Sequence, residues 1–230
     1  MKIEVLPDAD AVAQRAAERI SEAAREAVAA RGRFAFAVSG GRTPWQMLRV
    51  LGSLTMPWAD THLFQVDERV APGGDPDRNL TRIAEGLLTQ VPLPSGSMHA
   101  MPVEMTDLAA GARRYAEDLA AIAGSPPVLD LVHLGVGPDG HTASLVPNDP
   151  VLQERSVTVA LTEPYLGHRR MTLTFPVLDR AREVLWVVTG AEKAPMLARL
   201  ASGDRRIPAG CVNGNNAVII ADVAAAAGLR

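Results

Sequence analysis

Two hydrophobic rhythms take turns along the chain. Over residues 8–30 the apolar positions recur at helical spacing, with Val12, Ala16, Ile20, Ala24 and Val28 on one face. Asp8 or Asp10 stands where a helix needs an N-cap, so this stretch reads as a long amphipathic helix. Around it lie short runs without that period. Residues 1–6 read as an edge strand, and "RFAFAV" (33–38) as a second strand. A helix over 45–51 follows, with Pro44 suited to its first turn. Residues 62–66 form a strand that ends in "DER", and a Pro/Gly/Asp loop spans 71–77. Helices are expected over 79–91 and 106–123.

The second half repeats the alternation. Residues 128–134 are bounded by Pro126, Pro127 and Gly135, and read as a fully buried central strand. Strands are expected at 157–161, 171–175, 183–189 and 217–221. "GAEKAPMLARL" forms a helix, and an Ala-rich helix closes the chain. Regular exchange of strand and helix predicts one α/β domain over 1–230, built on a doubly wound, mostly parallel sheet with helices on both faces. In such sheets ligands gather beyond the carboxyl ends of the strands. "SGGRT", "DER" and "GVGPDGH" all lie there and are expected to converge.

Composition narrows the class. Of the 230 residues, 47% are hydrophobic and only 4% aromatic, so the core must be aliphatic. The net charge of −3 provides no global field for nucleic acid, so an anionic ligand needs a local cluster of cations. No apolar run reaches membrane-spanning length, and the N-terminus lacks a signal-peptide core; the expectation is a soluble cytoplasmic protein. Cys211 has no cysteine partner and reads as a packed small hydrophobe. The cations comprise 21 arginines but two lysines, Lys2 and Lys193, which singles out Lys193 within the body of the chain.

The loops carry the chemistry. Gly135, Gly137 and Gly140 spell the letters of a dinucleotide fingerprint, but Pro138 interrupts the turn and too few residues follow for a crossover helix. The same loop puts Asp139 two residues before His141, and a histidine can exchange a proton near neutral pH. Ser39, Gly40, Gly41, Arg42 and Thr43 open a helix, where backbone N–H groups and the helix dipole favour an anion. Arg69 can hold a phosphate in bidentate fashion, and its neighbours Asp67 and Glu68 stand on the same rim. Asp67 is a candidate base or a hold for a sugar hydroxyl. Lys193 stands early in its helix, where a cation opposes the dipole and suits a bound anion. A metal held by Asp67, Glu68, Asp139 and His141 is the rival account, without the spacing of a known ligand motif.

In order and spacing, "SGGRTP", "DER" with "DRNL", "GVGPDGHTASLVP", "RMTLTFPVL" and "TGAEKA" resemble the 6-phosphogluconolactonases across nearly the whole chain. Related glucosamine-6-phosphate deaminases share the Ser-Gly-Gly loop, the Asp-Gly-His loop and the late lysine, but not the "TASL-P" run. The resemblance implies a Rossmann-like layering and hydrolysis of 6-phospho-D-glucono-1,5-lactone. It implies no metal or organic cofactor, His141 as the catalytic histidine, and a phosphate site from Gly40, Gly41, Arg42, Thr43, Arg69, Arg170 and Lys193. The partner is then the small phosphosugar lactone, with a monomer or weak homo-oligomer as the assembly. Two departures stand out: Arg42 where many members carry Ser, and Val146 where Phe is frequent. A deaminase-like isomerase and a non-catalytic sugar-phosphate-binding module are the alternatives.

Overall fold

The structure, a computed structural model, describes residues 1–229; the side chains of Arg42 and Thr43 lie outside the described set. Strand β1 (Lys2–Leu6) leads to helix α1 (Ala9–Arg31), β2 (Phe34–Val38), α2 (Arg42–Ser53) and β3 (Thr61–Gln65). After one residue comes β4 (Asp67–Arg69), then α3 (Asn79–Ile83), which continues as a π-helical turn over Ala84–Leu88. Next are β5 (Met98–His99), α4 (Leu108–Ala123) and β6 (Leu131–Leu134). The chain finishes with β7 (Val159–Leu161), β8 (Arg170–Leu173), α5 (Phe175–Arg180), β9 (Val184–Val188), α6 (Ala194–Ala201) and β10 (Ala217–Asp222).

Among the described residues, seven strands form a sheet in the order β1-β10-β9-β6-β2-β3-β5. Every pairing in it is parallel. A parallel sheet needs cover on both faces, and the strand sequences are written for that. In β2, Phe34, Phe36 and Val38 point into a cluster with Ala13, Ala16, Ala17 and Ala24 of α1 and Leu48 of α2. Ala35 and Ala37 point the other way, toward Tyr115 and Leu119 of α4. So "FAFAV" alternates large with small instead of apolar with polar. The small face of α1 meets the large face of β2, and the bulky face of α4 meets the small one. Complementary sizes let both layers close to native packing density.

The ends of α1 follow the sequence closely. Asp8 is the N-cap, its side chain accepting from Ala11 N at 2.9 Å. Gly32 closes the helix at φ 73°, donating to Val28 O at 2.8 Å, a conformation that favours glycine. Val12, Ala16, Ile20 and Ala24 are fully buried as the periodicity requires.

Three expectations need correction. "DER" does not extend the strand before it: β4, β8 and β7 form a separate antiparallel sheet, with Asp67↔Thr172, Glu68↔Met171 and Arg69↔Arg170 as register partners. The helix over 79–91 is an α-turn followed by a π-turn. The closing Ala-rich segment is a single 3-10 turn, Ala225–Gly228. Helix α5 is an addition, opening with Pro176 in its first turn. No helix among the described residues is long and apolar enough to cross a membrane.

Candidate active site

The strand ends do converge. Ser39–Gly41 after β2, Asp67 and Arg69 on β4, Gly135–Pro138 and His141 after β6, Thr189, Gly190, Glu192 and Lys193 after β9 and Asp222 at the end of β10 line one cleft of about 700 Å³. Such a volume suits a small metabolite.

The loop after β6 is shaped around His141. Gly137 donates to His141 O at 2.8 Å, and Gly140 turns the chain at φ 84°. The imidazole then folds back over Gly137: a Cβ added there would lie 2.2 Å from the ring. No helix opens at Gly140; Thr142 and Leu145 instead form a tight bridge. Gly137 therefore makes room for the imidazole, Gly140 turns the chain against Ile207, and the geometry of a dinucleotide turn is absent.

Asp139 sits beside this ring. His141 Nδ1 lies 2.6 Å from Asp139 Oδ1, and the same oxygen accepts from His141 N at 3.1 Å. A carboxylate can only accept, so Nδ1 carries the proton and Nε2 is left as the basic nitrogen. Tyr165, from the turn between β7 and β8, donates its hydroxyl to Asp139 Oδ2 at 3.0 Å. Burial alone would raise the Asp139 pKa, but the donors from His141 and Tyr165 outweigh it and hold the carboxyl below its ordinary value. Asp139 is not in the cleft wall. Its contacts run to His141 and Tyr165, on the far side of the imidazole from the cleft lining.

The cations face the cleft from two sides. Arg69 and Arg170 are register partners in the small sheet, so two guanidiniums stand side by side. Arg69 is steadied by Asn79 Oδ1 at 2.7 Å and Asp77 O at 2.8 Å. Arg170 is only 5% exposed, and its Nε has no hydrogen-bond partner. Burial lowers its pKa, Asp67 partly offsets this, and Arg69 adds to the lowering. A desolvated guanidinium with an unpaired donor beside a second one is poised for an anion. Arg169, by contrast, is exposed and turns to Thr162 O at 3.3 Å. Lys193 lines the opposite rim and forms no ion pair with a described residue. It ends a 3-10 turn, Ala191–Lys193, and stands at the N-cap of α6, one step before the helix where the sequence placed it.

The Ser-Gly-Gly turn completes that rim. Gly41 is the N-cap of α2 and makes no side-chain cap bond, and a helix N-terminus of this kind suits an incoming anion. Gly40 packs against Asn79, where a Cβ would lie 1.8 Å from Oδ1. Ser39 N donates to His133 Nδ1 at 3.3 Å. Arg42 and Thr43 begin α2, and their side chains fall outside the described residues.

Asp67 and Glu68 play different parts. Asp67 reaches the cleft wall, is 4% exposed, and accepts from Ser144 Oγ at 2.6 Å. Burial raises its pKa, with Ser144 and Arg170 working against the rise. Glu68 is fully buried and outside the cleft. Its two oxygens accept from Gln65 Nε2 and from the backbone N–H groups of Arg69, Asn79 and Leu80, each at 2.8 Å. With both oxygens so occupied, Glu68 organises the start of α3, outside the cleft lining.

The sequence reading missed Tyr165, Asn79 and the supporting role of Ser144. Only "DRNL" signalled Asn79. Tyr165 lies in a loop with no chemical pattern of its own. Among the described residues no group of three or more His, Cys, Asp or Glu side chains is arranged to hold a metal ion.

Fold and site together define a class: an α/β protein with a histidine-bearing, cation-lined cleft at the carboxyl edge of a parallel sheet. Residues 7–220 match the family described as glucosamine-6-phosphate isomerases/6-phosphogluconolactonase, and the chain belongs to that family. It is 38% identical over 241 aligned positions to the 6-phosphogluconolactonase of Mycobacterium tuberculosis, covering 99% of this chain and 98% of that one. It is 36% identical to the 6-phosphogluconolactonase of Nostoc over 86% of this chain and 84% of the relative. The crystal structure of 6-phosphogluconolactonase from Thermotoga maritima superposes with a TM-score of 0.86 at 27% identity, covering 96% and 98% of the two chains. A monomeric glucosamine-6-phosphate deaminase shares the fold at a TM-score of 0.86 with 17% identity.

Proposed function

We propose that the protein is a 6-phosphogluconolactonase, hydrolysing 6-phospho-D-glucono-1,5-lactone to 6-phospho-D-gluconate in the oxidative pentose phosphate pathway. The similarity to named 6-phosphogluconolactonases over most of the chain supports a hydrolase of this kind. The observation that carries the chemistry is the Asp139–His141 pair, whose remaining ring nitrogen is available in a cleft that also holds Arg69, Arg170 and Lys193.

In this reading the phosphate lies among Arg69, Arg170, Lys193 and the N–H groups of Gly40 and Gly41. Anchoring the phosphate there leaves the carbonyl carbon near His141. His141 Nε2 takes a proton as water attacks the carbonyl, and Asp139 stabilises the imidazolium that forms. Collapse of the tetrahedral intermediate breaks the bond to the ring oxygen. The imidazolium returns its proton to that oxygen, giving the free acid and restoring neutral His141. Backbone N–H groups of the glycine loops steady the oxyanion. Asp67, fixed by Ser144, accepts from a sugar hydroxyl. A lactone is an activated ester, so one acid–base residue and good positioning suffice, without a metal or covalent nucleophile. Both sheets supply this one cleft, which supports taking the chain as a single functional domain.

The test is a coupled assay in which the lactone is generated in place and acid release is compared with the spontaneous background. Catalysis above background, retained in EDTA, is expected. A His141→Ala variant should lose 10²–10⁴-fold in kcat, roughly the contribution of a positioned acid–base residue, with KM little changed. Near-normal turnover by that variant would refute the role of His141. Ammonia release from glucosamine 6-phosphate in place of lactone hydrolysis would point to the deaminase reaction.

A further inference from the structure

Tyr165 joins the two halves of the cleft. It occupies the first position of a tight two-residue turn, with Leu166 at φ 50° and Gly167 at φ 85°, closed by the Tyr165↔His168 bridge. The turn is tied down on three sides. Thr162 N donates to Arg170 O at 2.9 Å, Glu163 N to Asp149 Oδ2 at 3.0 Å, and His168 Nε2 lies 3.6 Å from Asp77 Oδ2. Leu166 at the tip is 77% exposed, so the apolar residue of the turn is spent on solvent while the tyrosine faces inward. From this position the phenol makes three contacts. Its hydroxyl donates to Asp139 Oδ2, the oxygen that His141 does not use. Its ring meets the His141 ring edge-on, with centroids 5.6 Å apart and planes at 69°. The Arg170 guanidinium carbon lies 5.2 Å from the ring centroid.

We propose that Tyr165 is a positioning residue for the reaction: its hydroxyl, acting through Asp139, sets the orientation and proton affinity of His141, while its ring holds Arg170 in place for the phosphate. The proposal rests on the lactonase reading for its kinetic consequences, but the geometry stands without it. A carboxylate shared between a phenol and an imidazole divides its negative charge between two donors. Removing the phenol donor leaves Asp139 to interact with His141 alone, and the imidazolium becomes easier to form. On the ring side, a cation over a π face is attracted without being neutralised, so Arg170 stays available to an anion.

Other charged groups surround this pair. Arg170 faces it from β8, with Asp67 and Arg69 behind on β4. Across the cleft stand Lys193, Glu192 and Asp222. A Tyr165→Phe substitution alters none of these, so a change in His141 titration is attributable to the lost hydroxyl.

The experiment compares wild type, Tyr165→Phe and Tyr165→Ala in two measurements. In the pH–rate profile, Tyr165→Phe should move the acid limb of kcat upward by roughly 0.5–1 pH unit, the size expected from one hydrogen bond. Its KM should stay near wild type. Tyr165→Ala should show the same displacement and also raise KM by about tenfold, because Arg170 loses its ring face. NMR titration of the His141 ring should report the same upward shift in both variants. If the wild-type protein does not hydrolyse the lactone, the reaction assigned above fails, while the NMR titration still decides the role of Tyr165. An unshifted His141 titration in Tyr165→Phe overturns the proposal. A uniform loss of kcat at every pH, without displacement of the limb, overturns it too and leaves the tyrosine as packing alone.

Discussion

At the scale of single residues, the cleft separates two tasks between two sets of side chains. In the proposed reaction His141 and Asp139 handle a proton, while Arg170 and Lys193 handle a charge that takes no part in bond breaking. Binding made equally in ground and transition states changes KM and leaves kcat alone. Arg170→Ala or Lys193→Ala should therefore raise KM by about 10–100-fold with kcat within a few-fold, as steady-state kinetics would measure. Arg69 is less clean a probe, since it also holds Asn79 and the Asp77 carbonyl. A kcat loss matching the KM gain at Arg170 would mean that the phosphate contacts act in the transition state as well.

At the scale of elements, the small antiparallel sheet is what distinguishes this molecule from a plain layered fold. It carries Asp67, Arg69 and Arg170 and sets them across from the loop that carries His141. Glu68 anchors it, with four N–H donors at 2.8 Å and Arg78 Nε 3.3 Å away. Glu68→Gln would put an amide among donors that need an acceptor. The expected cost is about 2–4 kcal/mol, seen as a lower melting temperature with KM nearly unchanged in the protein that remains folded. A changed KM with unchanged stability would return Glu68 to the binding site.

The elements also mark where sequence reasoning succeeds. The long helix α1 has period, cap and C-terminal glycine in agreement, and its structure follows them. The central strands β2, β6 and β9 are legible because burial on both faces leaves continuous apolar runs, whereas the two-residue edge strand β5 carries no such run. Convergence of three loops followed from the parallel topology alone. Of the small sheet, the strands expected over 157–161 and 171–175 match β7 and β8, but β4 and the pairing into a separate sheet were not legible, for a physical reason. Its strands are three or four residues long, and β4 is made of "DER", which no propensity marks as a strand. Their pairing rests on tertiary contacts. For the same reason the sequence could not show the setting of Glu68: an acidic residue in a short charged run gives no sign of how many backbone donors surround it. Tyr165 was hidden because its role depends on a turn that brings it back to a loop earlier in the chain.

At the scale of the whole molecule, buried histidines couple stability to pH. His133 lies in the central strand, wholly buried, and burial pushes its pKa from 6.5 down to about 3. The folded protein keeps it neutral, whereas the unfolded chain takes up a proton below about 6.5. The stability it contributes is complete above that value and is lost as pH falls toward 3, at up to about 1.4 kcal/mol per pH unit. His62 and His99, paired at 3.1 Å between β3 and β5, are lowered by burial and act in the same direction. Asp67, raised by burial, opposes them by holding its proton longer in the folded state than in the unfolded. Urea unfolding should show a free energy that falls from pH 7 to pH 5, with a shallower slope in His133→Asn. An equal slope in that variant would locate the acid sensitivity elsewhere.

The wide separation of the site's members along the chain has a kinetic consequence. Ser144 and Asp67 are 77 residues apart, and Ser39 and His133 are 94 apart. Arg69 meets Arg170 only when β4 finds β8. Contacts of such long range close late, after the chain has met the entropy of large loops. During synthesis, a chain that has not yet supplied β8 has its main helices and several parallel strands, but only one of the two adjacent arginines. Formation of the cleft is then a report on completed folding: the tertiary closure that joins the small sheet to the large one also creates the cleft proposed as the active site.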